Sequence, residues 1–385
     1  MPQSEMKFTT LFHATDKCVD ILREHHLGPV FPRLQRLNIF SDTAQYIPMF
    51  IHPTLISLVM YTTTDENYIA VLESLAVNAP NLREFSVCDS EFDLEEDDPI
   101  RTRFDQTICS LHCLSKLNFA PVTLTDIVLA HLSSSPNFHA LNVCVSEYNC
   151  RAWTLPTWGF FNSLVRLDVS LGSPDVDLLT SFLTSLSESC LRDLKIIFEP
   201  ACSSASFARF LAACGRFLSL QTLTIGLSRF FSMRASQAVW KDKIFEAQIL
   251  DPLYSIASIK TFRLHWIPIK FTSGDLERMV SSWPTLKNLT LRSQKPGISP
   301  DDLAIFASGL PYLSNLSVEL EPVPEDWTWT KPEQEVDRPP RVNALQCLDL
   351  DLRYFSPSAK KEVNALIAHL FPSTPRSRRQ IRGGQ

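Results

Sequence analysis

A short phrase of alternating apolar and polar residues recurs twelve times along the chain. Each phrase has three apolar positions, the first and second separated by two residues and the second and third by one, as in Leu34–Ile39 and Leu286–Leu291. A strand with one buried face requires this period of two. The pattern therefore predicts twelve short strands. Their phrases begin at Leu34, Leu55, Leu82, Leu114, Phe138, Leu164, Leu191, Leu220, Ile259, Leu286, Leu313 and Leu345.

Between the phrases the apolar residues change to helical spacing, as in Leu276, Met279 and Val280. This spacing predicts short amphipathic helices, and Val77 and Ile127 are expected on the apolar faces of two others. Three Ser-Pro pairs mark predicted helix starts, because serine can cap a helix and proline suits its first position. They are Ser173-Pro174, Ser299-Pro300 and Ser356-Pro357.

The residues between the apolar positions are almost all polar. Of the 24 that flank the second apolar position of each phrase, only Val59, Ala140 and Cys347 are apolar, in a chain that is 45% hydrophobic. The phrases start 21 to 39 residues apart, about 28 on average, which is the spacing of leucine-rich repeats. The sequence therefore predicts an α/β leucine-rich-repeat solenoid (a horseshoe) with a parallel concave sheet, outer helices and about twelve irregular repeats.

The predicted domain limits follow the phrases. Residues 1–30 are expected to form an N-terminal capping segment and residues 31–371 the solenoid. An insert is expected at residues 228–253, inside the longest spacing, and a disordered basic tail at residues 372–385. The insert could be an amphipathic helix that contacts a partner, or it could cover the edge of its own solenoid, which is the favoured alternative.

Composition excludes several classes of function. The chain has only 10 glycines and no phosphate-binding loop of the GxxxxGK[ST] or GxGxxG type, so no cofactor is expected. Its net charge of −6 gives no reason to expect nucleic acid or an anionic membrane as a partner. Scattered cysteines without a CxxC pair, no apolar leader and no long apolar run predict a cytoplasmic or nuclear location. No GxSxG or HExxH motif is present, so we expect no enzyme activity.

The phrases also resemble a known family. Ala79-Pro-Asn-Leu-Arg-Glu-Phe, Trp283-Pro-Thr-Leu-Lys-Asn-Leu and Leu310-Pro-Tyr-Leu-Ser-Asn-Leu are similar to the leucine-rich repeats of F-box-type proteins of mushroom-forming fungi, and the resemblance covers roughly Phe31 to Phe371. It implies a module that recognises protein substrates for an SCF-type ubiquitin ligase. The alternative is a leucine-rich-repeat adaptor or regulatory scaffold with no link to ubiquitin.

In that family an N-terminal F-box docks on Skp1, the adaptor of a cullin-based ligase. Met1 to His26 contains no Leu-Pro-x-Glu opening of an F-box. The chain is therefore expected to be either a fragment of a longer F-box protein or a relative that lost the F-box, and Skp1 and cullin are expected partners only if an F-box lies upstream.

A protein ligand is expected on the concave face, where the polar residues of the phrases project. Arg263, His265 and Arg292 form a basic group beside Glu319, Asp349 and Asp351, because adjacent strands lie ~4.8 Å apart. The group could bind a charged peptide, or its charges could neutralise each other. The full set of candidate partner-binding residues is Arg166, Asp168, Arg263, His265, Arg292, Glu319, Asp349, Trp327 and Trp329.

Three further features have two interpretations each. Trp327 and Trp329 could contact a partner or pack over the last repeat. The acidic segment Asp89 to Asp98 could bind a basic partner, although a solvated loop is favoured. Cys109, His112 and Cys113 could suggest a metal site, but without a fourth ligand the packing of a helix end is favoured and no metal is expected.

Overall fold

The computed structural model describes residues 33–40, 44–61, 65–88, 99–119, 124–145, 161–172, 176–188, 190–198, 202–227, 244–292, 297–329, 345–352, 354–372 and 379–382. The predicted capping segment, residues 1–30, lies outside these ranges. The chain divides into two compact units. Unit 1 comprises Met1–Ser173 with Ser185–Cys190, and unit 2 comprises Pro174–Thr184 with Leu191–Gln385.

Unit 1 contains six strands that pair in parallel and in chain order. The strands are β1 (Arg36–Phe40), β2 (Ser57–Tyr61), β3 (Glu84–Val87), β4 (Lys116–Phe119), β5 (Ala140–Val145) and β6 (Arg166–Leu171). The segments between them include a 3₁₀ helix and three α-helices. These are Ala44–Phe50, α1 (Asp65–Asn78), α2 (Pro99–Ser110) and α3 (Asp126–Ser134).

Unit 2 repeats the arrangement. Its strands are β7 (Asp193–Phe198), β8 (Thr222–Leu227), β9 (Phe245–Glu246), β10 (Thr261–His265), β11 (Ile269–Lys270), β12 (Asn288–Arg292), β13 (Asn315–Glu319), β14 (Cys347–Asp351) and β15 (Arg379–Arg382). Its helices are α4 (Val176–Ser185), α5 (Ser204–Cys214), α6 (Ser273–Ser282), α7 (Leu303–Gly309), α8 (Pro357–Leu370) and the 3₁₀ helices Ala247–Ser255 and Pro300–Asp302. Strands β7, β8, β10, β12, β13, β14 and β15 pair in parallel in that order, while β9 pairs only with β11 among the described strands.

All twelve phrases form strands, as predicted. Each strand begins at the residue before the second apolar position. Wherever their burial is described, the second and third apolar residues of each phrase are buried, as Leu289 and Leu291 are on β12. The register places the same phrase position on adjacent strands, so that Leu289 lies opposite Phe262 and Leu316. Each repeat thus covers the apolar side of its neighbour, which one strand and one short helix could not do alone. This is an α/β leucine-rich-repeat fold with parallel strands and helices between them.

Small polar side chains link successive repeats at the turn before several of the strands. The Thr54 hydroxyl donates to the carbonyl of Leu34 at 3.1 Å, and the Ser163 hydroxyl donates to that of Phe138 at 2.7 Å. Ser258 donates in the same way to Leu220 at 2.7 Å. Each donor directly precedes the first apolar residue of its phrase, and each acceptor is the first apolar residue of the preceding phrase. These bonds satisfy carbonyl groups that lie outside the strand ladder.

The predicted helix starts have different outcomes. The Ser356 hydroxyl accepts a hydrogen bond from the backbone N–H of Ala359 at 3.2 Å, so the predicted cap of α8 is confirmed. Ser299 makes no side-chain cap, because Pro300–Asp302 forms a 3₁₀ turn and α7 begins only at Leu303. Residues 173–175 lie outside the described ranges. The strongest cap was not predicted: Thr272 and Asp275 form a reciprocal capping box at the start of α6.

Two residues assigned to apolar helix faces are exposed. Val77 is 78% exposed and Ile127 is 67% exposed. On α1 the buried residues include Leu72 and Leu75, and Val77 is five positions beyond Leu72, about 140° around the helix axis. The prediction was wrong for Val77 because five residues do not return a side chain to the same face.

The predicted insert contains structure that covers its own unit. Residues 228–243 are not described, but Phe245 pairs through β9 with Ile269, and its ring lies 5.2 Å from that of Phe207 on α5. In the 3₁₀ helix Ala247–Ser255, Leu250 and Leu253 are fully buried. The described part of the insert therefore packs against unit 2, as the favoured alternative predicted.

The C-terminal segment differs from the expected disordered tail. Arg379–Arg382 forms β15, which pairs in parallel with β14, with Ile381 opposite Leu350. The last strand of a sheet leaves a row of unpaired backbone groups, and a following segment can satisfy them by adding a strand.

Candidate partner-binding surface

Six strands of unit 2 have polar residues on the side opposite to their buried leucines. We call the outward-facing residues of β7, β8, β10, β12, β13 and β14 the polar strand face. On β10 these residues are Thr261, Arg263 and His265. Arg263 lies opposite Thr290 on β12, and His265 lies opposite Arg292. The register therefore brings the three predicted basic residues onto two adjacent strands.

Arg292 is tied to the acidic side of this face. Its Nε donates to the Ser317 hydroxyl on β13 at 2.9 Å, and its guanidinium forms an ion pair with the Asp349 carboxylate on β14. The two charged side chains are only 29% and 13% exposed. Charge neutralisation, which the sequence left as one of two alternatives, is therefore what the structure shows for this pair. The remaining predicted acidic residue, Glu319, lies opposite Asp351.

A second row of the face is a ladder of polar side chains. The Asn288 amide donates to the Thr261 hydroxyl at 2.9 Å, and the Asn315 amide donates to the Asn288 side-chain oxygen. These bonds connect β10, β12 and β13. The ladder restricts the conformations of side chains on three strands. A partner that binds there would therefore cost these side chains little additional conformational entropy.

Arg263 is the exposed charge of the predicted group. Within the described part of the chain, it has no hydrogen-bonding or ion-pair partner, whereas Arg292 on the next strand contacts Ser317 and Asp349. Its neighbours in the register are Thr224 and Thr290. Both are short, so the guanidinium stands clear of them and can reach a ligand.

Two predicted residues belong to unit 1. Arg166 is exposed on β6, while Asp168 on the same strand is only 5% exposed and lies opposite Asn142. They lie in unit 1, whereas the polar strand face is defined by strands of unit 2.

The tryptophans Trp327 and Trp329 lie beyond β13 in the chain. The ring of Trp329 is 5.0 Å from that of His369 on α8, and both tryptophans are half-buried. The contact supports packing over the last repeat for Trp329, which was one of the two predicted alternatives.

Sequence reasoning did not single out Lys195 and Trp266. Lys195 is exposed on β7 and lies opposite Thr224. Trp266 follows β10 with a backbone φ of 64° and is 36% exposed. Its backbone N–H donates to the carbonyl of Arg292 at 3.1 Å. A bulky residue rarely adopts a positive φ. Nothing in the Leu-His-Trp sequence signals that conformation, whereas Lys195 could have been found from its place in the outward row.

The segment around Cys109 behaves as a packed helix end. Leu111 and Leu114 are each 1% exposed, while Cys113 is exposed. Burial, and then the nearby Asp105 carboxylate, raise the pKa of the Cys109 thiol. No group of three or more metal-ligating side chains occurs among the described residues. The acidic segment Asp89–Asp98 lies outside them.

No helix within the described ranges is both long and apolar enough to span a lipid bilayer.

Comparison with known proteins gives a weak structural similarity and no family. No family model matches the chain, and no curated protein matches it. The F-box resemblance therefore has no support from these comparisons. Among solved structures, an internalin (inlF) from Listeria monocytogenes is 14% identical, with 91% of this chain and 82% of that chain covered and a TM-score of 0.39. That score is too low to define a common fold, and the repeat assignment rests on the strand register.

Proposed function

We propose that the chain is a non-enzymatic scaffold that binds a protein partner on the polar strand face of unit 2. The observation that carries the proposal is the exposed Arg263, which projects from a strand between short neighbours, while Arg292 on the next strand is already paired with Asp349. An exposed charge on an ordered surface gives a partner an electrostatic contact that fixes orientation.

The physical chemistry of the face supports binding. The Thr261–Asn288–Asn315 ladder and the Arg292–Asp349 pair hold its side chains in place before a ligand arrives. Binding then costs less conformational entropy than it would on a loop. The face is also a broad surface of parallel strands, the kind of surface that repeat proteins use for macromolecular ligands.

We further propose that this binding serves substrate recognition for an SCF-type ubiquitin ligase, and this part rests on the F-box resemblance of the repeat phrases alone. It requires that Skp1 and a cullin co-purify with the protein. Immunoprecipitation of the tagged protein from its native cells tests this part by itself. Enrichment of both proteins is expected, and the absence of both, while another partner is enriched, rejects the ligase assignment and favours an adaptor without a link to ubiquitin.

Site-specific photo-crosslinking tests the choice of face. A photoreactive amino acid at Thr290 on β12 samples the polar strand face, and one at Glu277, exposed on α6, samples the helical side of the same unit. We expect a discrete crosslinked protein from Thr290 and none from Glu277. A partner that crosslinks only from Glu277, or no crosslink from either position, rejects the proposal.

A further inference from the structure

A second surface of unit 2 is formed by the turns that lead into β8, β10, β12 and β13. The backbone N–H of Lys260 donates to the carbonyl of Gln221 at 2.8 Å, and that of Lys287 donates to the carbonyl of Lys260 at 2.8 Å. The N–H of Ser314 donates in turn to the carbonyl of Lys287 at 2.7 Å. The parallel pairing therefore extends one residue before the strands and places Lys260 and Lys287 side by side.

The two lysines are exposed and have no acidic residue in the turns around them. No aspartate or glutamate occurs in the four turn segments, which are residues 214–221, 254–260, 281–287 and 308–314. Among the described residues neither lysine forms an ion pair.

Like charges on adjacent strands repel each other, because neighbouring strands are about 4.8 Å apart. The Lys260 ammonium donates to the side-chain oxygen of Gln221 at 3.0 Å, on the side away from Lys287. This partner is a neutral amide, so it does not compensate the positive charge. An anion that lies over the two lysines would relieve their repulsion.

Apolar side chains are exposed beside the lysines. Leu218, Ala257 and Pro284 occupy the same place in three successive turns, two residues before the first apolar residue of each phrase, and all three are exposed. Leu218 is 62% exposed, and Tyr312 in the following turn is 60% exposed. Exposed apolar groups that lie together beside charged ones are typical of interaction sites, and tyrosine is enriched at their energetic centres. We call this strip the turn rim; it comprises Leu218, Ala257, Lys260, Pro284, Lys287 and Tyr312.

Hydrogen bonds hold neighbouring turns of the rim together. The Ser258 hydroxyl lies 2.7 Å from the carbonyl oxygens of both Leu218 and Leu220, in the turn before β8. The Thr285 hydroxyl lies 3.4 Å from the carbonyl oxygen of Ile259, in the turn before β10. A ligand therefore meets a backbone that is already ordered, which lowers the entropic cost of binding.

We propose that the turn rim binds a short segment of a protein partner that carries both acidic and apolar side chains. The carboxylates of such a segment accept charge-assisted hydrogen bonds from Lys260 and Lys287, and its apolar side chains remove Leu218 and Tyr312 from water. An anionic membrane or a nucleic acid is a poorer fit, because each is bound by larger clusters of cations and the chain has a net charge of −6. The turn rim is separate from the polar strand face, so this inference goes beyond the proposed function.

Binding of a synthetic peptide tests the inference. The probe is fluorescently labelled Gly-Ser-Leu-Glu-Glu-Phe-Ser-Gly, measured by anisotropy against the full chain at low ionic strength, where screening is weak. We expect saturable binding that is about tenfold weaker or worse for Lys260→Glu/Lys287→Glu and several-fold weaker for Tyr312→Ser. The neutral variant Lys260→Gln/Lys287→Gln should also bind several-fold more weakly, so a charge-reversed chain that fails to fold does not end the test.

Two variants serve as matched controls. Lys270→Glu reverses an exposed lysine on β11, which follows β10, whereas the turn rim precedes it. Val77→Ser removes an apolar side chain of unit 1 that is 78% exposed. Both variants should bind the peptide within about twofold of the wild-type chain. Two altered peptides, one with glutamine for both glutamates and one with serine for leucine and phenylalanine, should each bind several-fold more weakly.

No binding to the wild-type chain, equal weakening by Lys270→Glu, or equal binding of the glutamine peptide would overturn the inference. Phosphatidylserine vesicles that bind the wild-type chain but not Lys260→Gln/Lys287→Gln, while the peptide does not bind, would overturn it in favour of a membrane surface. The peptide test does not depend on the partner that crosslinks from Thr290. Its failure therefore leaves the proposed function standing, and failure of the crosslinking leaves the turn rim standing.

Discussion

The guanidinium of Arg292 on β12 reaches across β13 to the carboxylate of Asp349 on β14. On the way its Nε donates to the Ser317 hydroxyl, so one side chain joins three strands of unit 2. Because the pair is less exposed than a typical surface ion pair, solvent screens it less. The pair therefore joins strands of the polar strand face, on which Arg263 is an exposed cation.

We expect strong energetic coupling between Arg292 and Asp349. A double-mutant cycle with Arg292→Ala and Asp349→Ala should give a coupling of about 1 to 2 kcal/mol in the free energy of unfolding. The matched control is the Glu73–Arg103 pair, 3.0 Å apart and roughly half exposed on both sides, whose coupling should not exceed about 0.5 kcal/mol. Urea denaturation measures both cycles, and equal coupling in the two would contradict the assigned role of Arg292.

The alternation of buried and outward residues predicts opposite effects at adjacent positions of β12. Leu289 is 1% exposed, so Leu289→Ala should lower the free energy of unfolding by about 2 to 5 kcal/mol through lost burial and a cavity. Thr290 faces outward, and Thr290→Ala should change the free energy of unfolding by about 0.5 kcal/mol or less. Chemical denaturation of the two variants checks this, and similar losses at both positions would be inconsistent with the strand orientation.

The positive φ of Trp266 predicts an unusual order of stabilities. At a φ of 64° the Cβ atom of an alanine is sterically unfavourable, and glycine has no Cβ atom. The folded Trp266→Gly variant should therefore be more stable than the Trp266→Ala variant by about 1 kcal/mol. At Thr290, in an ordinary strand conformation, the glycine variant should instead be the less stable one. Thermal denaturation of the four variants provides the comparison. Alanine more stable than glycine at position 266 would refute the left-handed backbone.

The environment of His131 predicts a dependence of unit 1 stability on pH. Burial, and then the charge of His112, lower the pKa of His131 below its ordinary value of 6.5, and the two rings lie 5.8 Å apart. The unfolded chain therefore binds a proton more readily than the folded chain, so this contribution to stability is present above pH 6.5 and is lost as the pH falls below it. His131→Gln should flatten the decline of stability between about pH 7 and pH 5.

The control for this prediction is His139→Gln, because the His139 ring is exposed and lies in the turn before β5. It should leave the slope of stability against pH as in the wild-type chain. The account of His131 fails if the two variants give the same slope.

The strands could be predicted from the sequence because two signals coincide in them. Each phrase alternates with a period of two, and the residues between the leucines are polar, so a one-residue shift would place charges such as Arg263 in the core. The helices were less predictable, since a short helix in a repeat is held by its neighbours more than by its own pattern. Val77 shows the error that results.

The candidate surface could be predicted only as a set of positions. Strand spacing placed Arg263, His265 and Arg292 near one another, and the register confirms that placement. The sequence did not show that Arg292 bypasses β13 to reach Asp349, because that choice depends on the length and rotamer of one side chain.

Two native cysteines allow the most direct test of the binding face in the unaltered chain. Cys347 lies half-buried on β14, opposite Asn315 on the polar strand face, and Cys113 is exposed in a turn of unit 1. The rates at which a maleimide alkylates the two thiols are measured by mass spectrometry, with and without a saturating amount of the partner that crosslinks from Thr290. We predict that the partner slows alkylation of Cys347 several-fold and leaves that of Cys113 unchanged. Equal rates at Cys347 with and without the partner would contradict binding on the polar strand face.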